Sequence, residues 1–516
     1  MPPLAIAAAR GIRAEDLSGN AQLALDAEIP LFPAALANVR PVFQLVLTNF
    51  SSRSPLADRM IEDADLILAG TPERFAVTGD GLLDGMQASV DLMLGSEAPE
   101  QKDVTVSLDD AARERLGLGL GGLVSGSIKA SIRTTESGGE AVELDLEQAR
   151  IDLPFLGWEK GPGVAATATF LLTRSDEGTR VTELSISGKG FAAAGSLAID
   201  PTGKLRDLQL TELVLRPGDD VSVTARADGV SYDVRVAGSS IDARGILRGL
   251  RGGVGREGDA IPVRVALEVG SVRGEDDVVL SNVSGSLTFG RKGLDTASLK
   301  GQSGGNRGFD WTLGRDGEAR TLRLIADDAG TLLKFTGLYA KVAGGNLVID
   351  YGGTVDGPGR GVVLMRDFRV VEESALAPAV RSAQSHIRER GLPVSNNDTP
   401  TDLSFAQLRV PFRQEDWVIA VDDAALRGPM LGATASGTIN IPGGRVAISG
   451  TFIPAFGINN IAGAIPLLGT ILGGGRDEGL FGITYKLFGP LSHPELTINP
   501  ISAITPGIFR RIFEYD

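Results

Sequence analysis

Cysteine is absent from the 516 residues. Disulfides and thiolate metal sites are thereby excluded, while the compartment stays open because exported proteins also do without cysteine. Histidine occurs only at His386 and His493. Metal ligation or general-base work at either needs convergent carboxylates, and none stand out around them. The acidic pairs Asp327-Asp328 and Asp422-Asp423 read as helix-start and turn carboxylates rather than metal ligands. Tryptophan (3) and tyrosine (5) are too scarce for the aromatic girdles of an outer-membrane barrel. Positive charge is also short: 50 Lys and Arg against 65 Asp and Glu leave a net −15. With no basic stripe to neutralise phosphates, a nucleic-acid backbone is excluded as partner. No catalytic constellation appears, so the chain reads as a non-enzyme without cofactor or metal.

The first residues, MPPLAIAAARGIRAEDL, lack a basic n-region, and their apolar run is only about seven residues, making a poor signal peptide. If the protein works outside the cytoplasm, its anchor is expected upstream of this chain.

What is present is glycine, 68 residues, and an apolar content of 42%. That content is ample for a core and excludes global disorder. Apolar and polar residues alternate again and again. Leu23 and Leu25, Val104 and Val106, Leu184 and Ile186, Val234 and Val236, and Val263, Val265 and Leu267 each lie in such a run. Period-two alternation gives a sheet one apolar and one polar face. Turn signals such as Gly79-Asp80-Gly81 and Asp200–Gly203 separate the runs. Two packings satisfy the pattern. Two sheets can meet in a sandwich core, or one sheet can curl into a trough with an open apolar lining.

Short helices are expected at 108–116 and 327–337, and a longer one at 372–390. Gly117–Gly122 matches G-x-G-x-x-G, but a helix precedes it and a strand-like run, Val124 to Ile132, follows. A dinucleotide site needs the reverse order, so the stretch reads as a linker. Pro442–Gly444 is expected to turn a hairpin.

The longest charge-free run is Val446 to Gly475. Pro454, Pro466, Asn459 and Asn460 argue against a membrane-spanning helix, since each break would strand backbone polar groups in lipid. From Ile458 onward, Ile461, Ile465, Leu468 and Leu472 continue one apolar stripe at helical spacing. That suits a helix capping the end of the sheet or lying in a membrane interface. Phe481 to Leu487 and Leu496 to Ile498 read as a closing strand pair. The tail Ile508, Phe509, Arg510, Arg511 and Ile512 is a basic-flanked apolar segment suited to anionic headgroups or to packing on the last strands.

The run LIADDAGTLLKFTGLYAKVAGGNLVID (324–350), the block LRVPFRQEDWVIAVDDAALRGPMLGATASGTINI, and above all INNIAGAIPLLGTILGGGRDEGLFGITYKLFGPLSHPELTINPISAITPGIFRRIF resemble the C-terminal module of AsmA-like, YhdP-type proteins. LDDAARERLGL, ARIDLPFLGWEKGPG and SIDARGIL resemble the central region of alphaproteobacterial members. The resemblance divides the chain into a repeating β-groove region, 1–330, and a C-terminal module, 331–516. It implies an elongated, curled antiparallel β-sheet groove with few short helices, capped at its C-terminal end. It further implies a periplasmic protein, anchored in the inner membrane by an N-terminal helix that this chain lacks. Its ligand would be phospholipid, its partners the inner and outer membrane surfaces and envelope proteins. The aliphatics named above would line the groove, and the stripe from Ile458 to Leu472 with the Ile508–Ile512 tail would contact a membrane. The rival expectation is an elongated β scaffold for envelope assembly with no lipid path.

Overall fold

The computed structural model describes residues 14–27, 41–53, 60–95, 101–115, 122–135, 139–251, 261–291, 293–355, 357–377, 380–381, 401–416, 418–441, 443–454, 483–491 and 494–499. These residues are mostly strand. The main sheet has 27 strands and a second sheet has three. The chain divides into two compact units, Met1–Ala227 and Asp228–Asp516.

The first unit holds β1 (Leu17–Asp26), β2 (Val42–Ser52), β3 (Ile61–Thr71), β4 (Arg74–Leu83), β5 (Met86–Gly95), β6 (Gln101–Leu108), β7 (Val124–Gly126), β8 (Ile128–Thr134), β9 (Glu140–Asp145), β10 (Ala149–Leu153), β11 (Trp158–Lys160), β12 (Ala166–Ser175), β13 (Gly178–Gly188), β14 (Phe191–Ile199), β15 (Leu205–Val214) and β16 (Asp220–Asp228). From β1 to β16 each strand pairs antiparallel with the next, except that β7, β10 and β11 leave to form the small sheet. The strand expected over Val124–Ile132 is therefore two strands. Its first part joins the small sheet, and the chain changes sheets at Ser127.

The second unit holds β17 (Ser231–Asp242), β18 (Val263–Arg273), β19 (Val279–Gly290), β20 (Gly293–Ser303), β21 (Gly308–Asp316), β22 (Ala319–Ala326), β23 (Val342–Thr354), β24 (Gly359–Val370), β25 (Leu403–Glu415), β26 (Val418–Arg427), β27 (Leu431–Asn440), β28 (Arg445–Pro454), β29 (Ile483–Pro490) and β30 (Glu495–Asn499). From β18 to β30 it is an antiparallel meander. β17 and β18 pair in parallel, which requires a crossover connection rather than a hairpin; the short helix Arg244–Arg251 lies in that connection. Among the described residues no pairing closes either ladder on itself.

Among the described residues three short helices each follow a strand through an aspartate that holds a backbone N–H at the helix start. They are α1 (Asp110–Arg115), α2 (Arg244–Arg251) and α3 (Ala329–Phe335). Asp109 accepts from Ala112 N at 2.7 Å, Asp242 from Arg244 N at 3.0 Å and Asp328 from Thr331 N at 3.0 Å. Side-chain acceptors at this position satisfy donors that have no intrahelical partner. The helices expected at 108–116 and 327–337 are thus α1 and α3. Of the helix expected at 372–390, Ser374–Leu376 forms one 3-10 turn and Ala377, Val380 and Arg381 are α-helical, while residues 378–379 and 382–390 lie outside the described residues.

The fully buried core lies where these helices and the small sheet meet the strands. In the first unit Met86, Val106, Leu108, Ala112, Ile128, Leu146 and Ala149 form one buried cluster. Arg113 ties α1 to it by donating to Leu108 O at 3.0 Å and Gly126 O at 2.6 Å. Trp158 in β11 donates to Leu215 O at 2.6 Å and meets the Phe191 ring edge-on at 5.1 Å. In the second unit Ala329, Leu332 and Phe335 of α3 are buried, as are Val342, Phe368, Leu403, Phe405 and Leu431.

Candidate functional site: the apolar face

The pairing registers assemble the alternating residues into continuous rows. In the second unit one row crosses every described strand: Val234, Val265, Leu287, Ala297, Leu313, Leu322, Tyr351, Gly361, Phe412, Val421, Gly437, Ile448, Leu487 and Leu496 are successive cross-strand partners. No charged residue interrupts it. A parallel row runs from Val236 through Leu267, Gly285, Leu299, Trp311, Leu324, Ile349 and Val363 to Val410. With strands about 4.8 Å apart, the longer row spans on the order of 60 Å measured along the sheet.

Most of these side chains are half-buried; in the longer row only Ala297, Leu313 and Val421 are buried. Residues of a closed sandwich core would be buried throughout. Here the sheet's own neighbours shield each side chain laterally and leave part of it accessible. At Gly361 an aromatic ring fills the space that a side chain would take. A Cβ on Gly361 would lie 2.4 Å from Phe412 Cζ, and the Phe412 ring stacks on Tyr351 at 6.2 Å and 5°. The Tyr351 hydroxyl donates to Gln414 Oε1 at 2.7 Å.

In the first unit Ala88, Val106, Ala130, Leu144, Ala168, Ile186, Ala193, Leu213 and Val221 form a row, with Val90, Val104, Ile132, Val142 and Phe170 beside it. Leu23 joins Leu45, Leu68, Val77 and Leu92, and Leu25 joins Phe43 and Gly70. Leu184 faces Gly195.

Each lining candidate named from sequence therefore has apolar or glycine neighbours across the ladder. They are not alike in exposure. Val104, Leu184, Ile186, Val234, Val236, Val263, Val265 and Leu267 are half-buried. Val106 is only 7% exposed and belongs to the closed cluster under α1, so its part is structural. Leu23 and Leu25 are 52% and 65% exposed, because among the described residues β1 is flanked only by β2. The candidates Ile458, Ile461, Ile465, Leu468, Leu472, Ile508, Phe509, Arg510, Arg511 and Ile512 lie outside the described residues.

Sequence reasoning left Trp311, Leu324, Ile349, Val363, Phe412, Ile448 and Leu487 out of the lining. Their alternation is visible in the sequence, but their membership of one row depends on register, which no single strand reveals.

The opposite face is polar and held by cross-strand ion pairs. Arg264 donates to Asp233 at 2.5 Å and Asp228 at 2.7 Å. Arg235 pairs with Glu268 at 3.0 Å and Arg226 with Asp207 at 3.0 Å. Arg413 grips Asp422 through two bonds, 2.7 and 3.1 Å. Hydrogen bonds from these guanidinium groups hold the Asp233 and Asp422 carboxyls below the usual carboxylate range. Asp327 and Asp328 also have structural duties: Asp327 accepts from Gly308 N at 2.9 Å, and Asp328 caps α3 and pairs with Arg307 at 2.7 Å.

Among the described residues no group of three or more His, Asp or Glu is placed to hold a metal ion, and no helix is long and apolar enough to cross a membrane. Comparison with protein-family models, with curated proteins and with solved structures returns no match.

Proposed function

We propose that this chain is a bridge-like lipid-transfer protein of the AsmA-like, YhdP-type kind, carrying phospholipid along its apolar sheet face across the periplasm toward the outer membrane. The observation that supports this reading best is the uncharged row across the fourteen described strands of the second unit, half-buried for most of its length. One leaflet of a bilayer is about 15 Å of hydrocarbon, so the row is several acyl chains long. Burying about 15 methylenes of one chain yields about 12 kcal/mol gross at about 0.8 kcal/mol each. Repetition of similar aliphatics keeps that value nearly level from one strand to the next, which lets a chain slide. Headgroups would stay in water, and transfer would need no covalent chemistry.

The test introduces charge into the row. Val265→Asp and Leu267→Arg sit on half-buried positions of β18 and are expected to abolish transfer of fluorescent phospholipid between vesicles while far-UV circular dichroism stays unchanged. Folded variants that transfer lipid at the normal rate would sink the conduit. Mass spectrometry of gently extracted protein separates it from the scaffold reading, for which no stoichiometric phospholipid is expected.

A further inference from the structure

In the second unit the polar face carries an apolar stripe. In β22 to β25, Ile325, Val348 and Leu364 are successive cross-strand partners on the face opposite the apolar rows, and Val362 pairs with Pro411 beside them. Ile325 is 39% exposed. The runs Leu347-Val348-Ile349 and Val362-Val363-Leu364-Met365 that produce this are apolar on both sides of the strand. Continuous apolar runs are characteristic of strands covered on both faces.

Around this stripe stand Arg360, Arg366, Arg409 and Arg427. Arg366 and Arg427 flank Gln407 on adjacent strands, and Arg409 sits between Leu364 and Ala425. On β17, β18 and β22 the polar-face arginines Arg235, Arg264 and Arg323 each pair with a carboxylate. These four have no ionic partner among the described residues, in a chain whose net charge is −15. Arg323, Asp350, Arg360, Val362 and Arg409 of this face contribute, together with Leu322, Tyr351 and Gly361, to an open depression of about 620 Å³.

We infer that this face of β22–β26 is a docking surface for an acidic polypeptide segment carrying apolar side chains. Apolar contact area ringed by arginine is the composition of a protein interface core, and unpaired guanidinium groups at fixed strand spacing favour carboxylates through bidentate bonds. The chain's own segment 382–400 is a poor occupant by charge, since Glu389 and Asp398 are offset by Arg388 and Arg390. The inference is independent of the lipid path, which uses the other face.

The probe is a fluorescein-labelled acidic peptide rich in Glu and Leu, titrated with the full chain and read by anisotropy. Saturable binding that weakens at least about tenfold in Arg366→Glu/Arg409→Glu, and in the milder Arg366→Gln/Arg409→Gln, supports the surface if both variants keep the wild-type melting temperature. Leu364→Asp should weaken it as well. Equal affinity for wild-type and variants overturns the proposal. So does flotation with phosphatidylglycerol vesicles that these arginines control while peptide binding does not, and so does self-association that the same substitutions abolish in place of peptide binding.

Discussion

Single residues of this chain mostly do structural work, and Lys160 is the clearest case. It is 2% exposed at the end of β11, and its ammonium donates to the carbonyls of Ala149 at 2.6 Å, Gly161 at 3.2 Å and Glu147 at 3.3 Å. Burial pulls its pKa below the ordinary lysine value, partly offset by Glu147 and Asp145. Lys160→Met keeps the stem but leaves the carbonyls without this donor. A loss of about 1–3 kcal/mol is expected in urea unfolding. Tyr485 is buried, stacks on Phe452 at 4.3 Å and donates to Thr434 O at 2.9 Å. Burial pushes its pKa up to about 12. Because the folded state holds the phenolic proton more tightly than the unfolded chain, with its ordinary value of about 10, stability is complete below pH about 10. It falls as pH rises toward 12. Tyr485→Phe should remove that component of the alkaline slope in thermal melts recorded across this range.

At the scale of elements, one strand position is closed to any side chain by the backbone of its neighbour. Gly285 in β19 has φ +151°, and a Cβ there would fall 1.8 Å from Ser298 O on β20. The backbone of β20 leaves no room, and this conformation is one that side-chain-bearing residues rarely adopt. Gly285→Val, although it adds an aliphatic to an aliphatic row, is expected to destabilise the second unit by more than about 2 kcal/mol. Hydrogen exchange should show lost protection first at β19 and β20. The hairpin that joins β27 to β28 and the pairing of Leu487 with Leu496 were legible from turn residues and alternation. The split at Ser127 was not, because Val124 to Ile132 alternates as one strand would and only the pairing of β7 with β10 takes its first part away.

At the scale of the whole molecule, composition excluded more than it identified: no thiol chemistry, no basic stripe, no aromatic girdle. Alternation predicted strands with one apolar face, and the described residues have that character. It left open whether two sheets would meet or one would remain half-covered, since both arrangements use the same residues on the same faces. Partial exposure along the rows favours the second.

The sequence by itself determined the local terms: which residues extend, where Asp109 and Asp328 start helices, and which side of most strands is apolar. These depend on neighbours a few positions apart. The tertiary structure alone decided the register that lines up Val234 with Leu496 through twelve intervening strands, the parallel joint between β17 and β18, and the gathering of Arg360, Arg366, Arg409 and Arg427 around Leu364. A slip of one residue would send every side chain of a strand to the opposite face, so these features rest on hydrogen-bond partners distant in the chain.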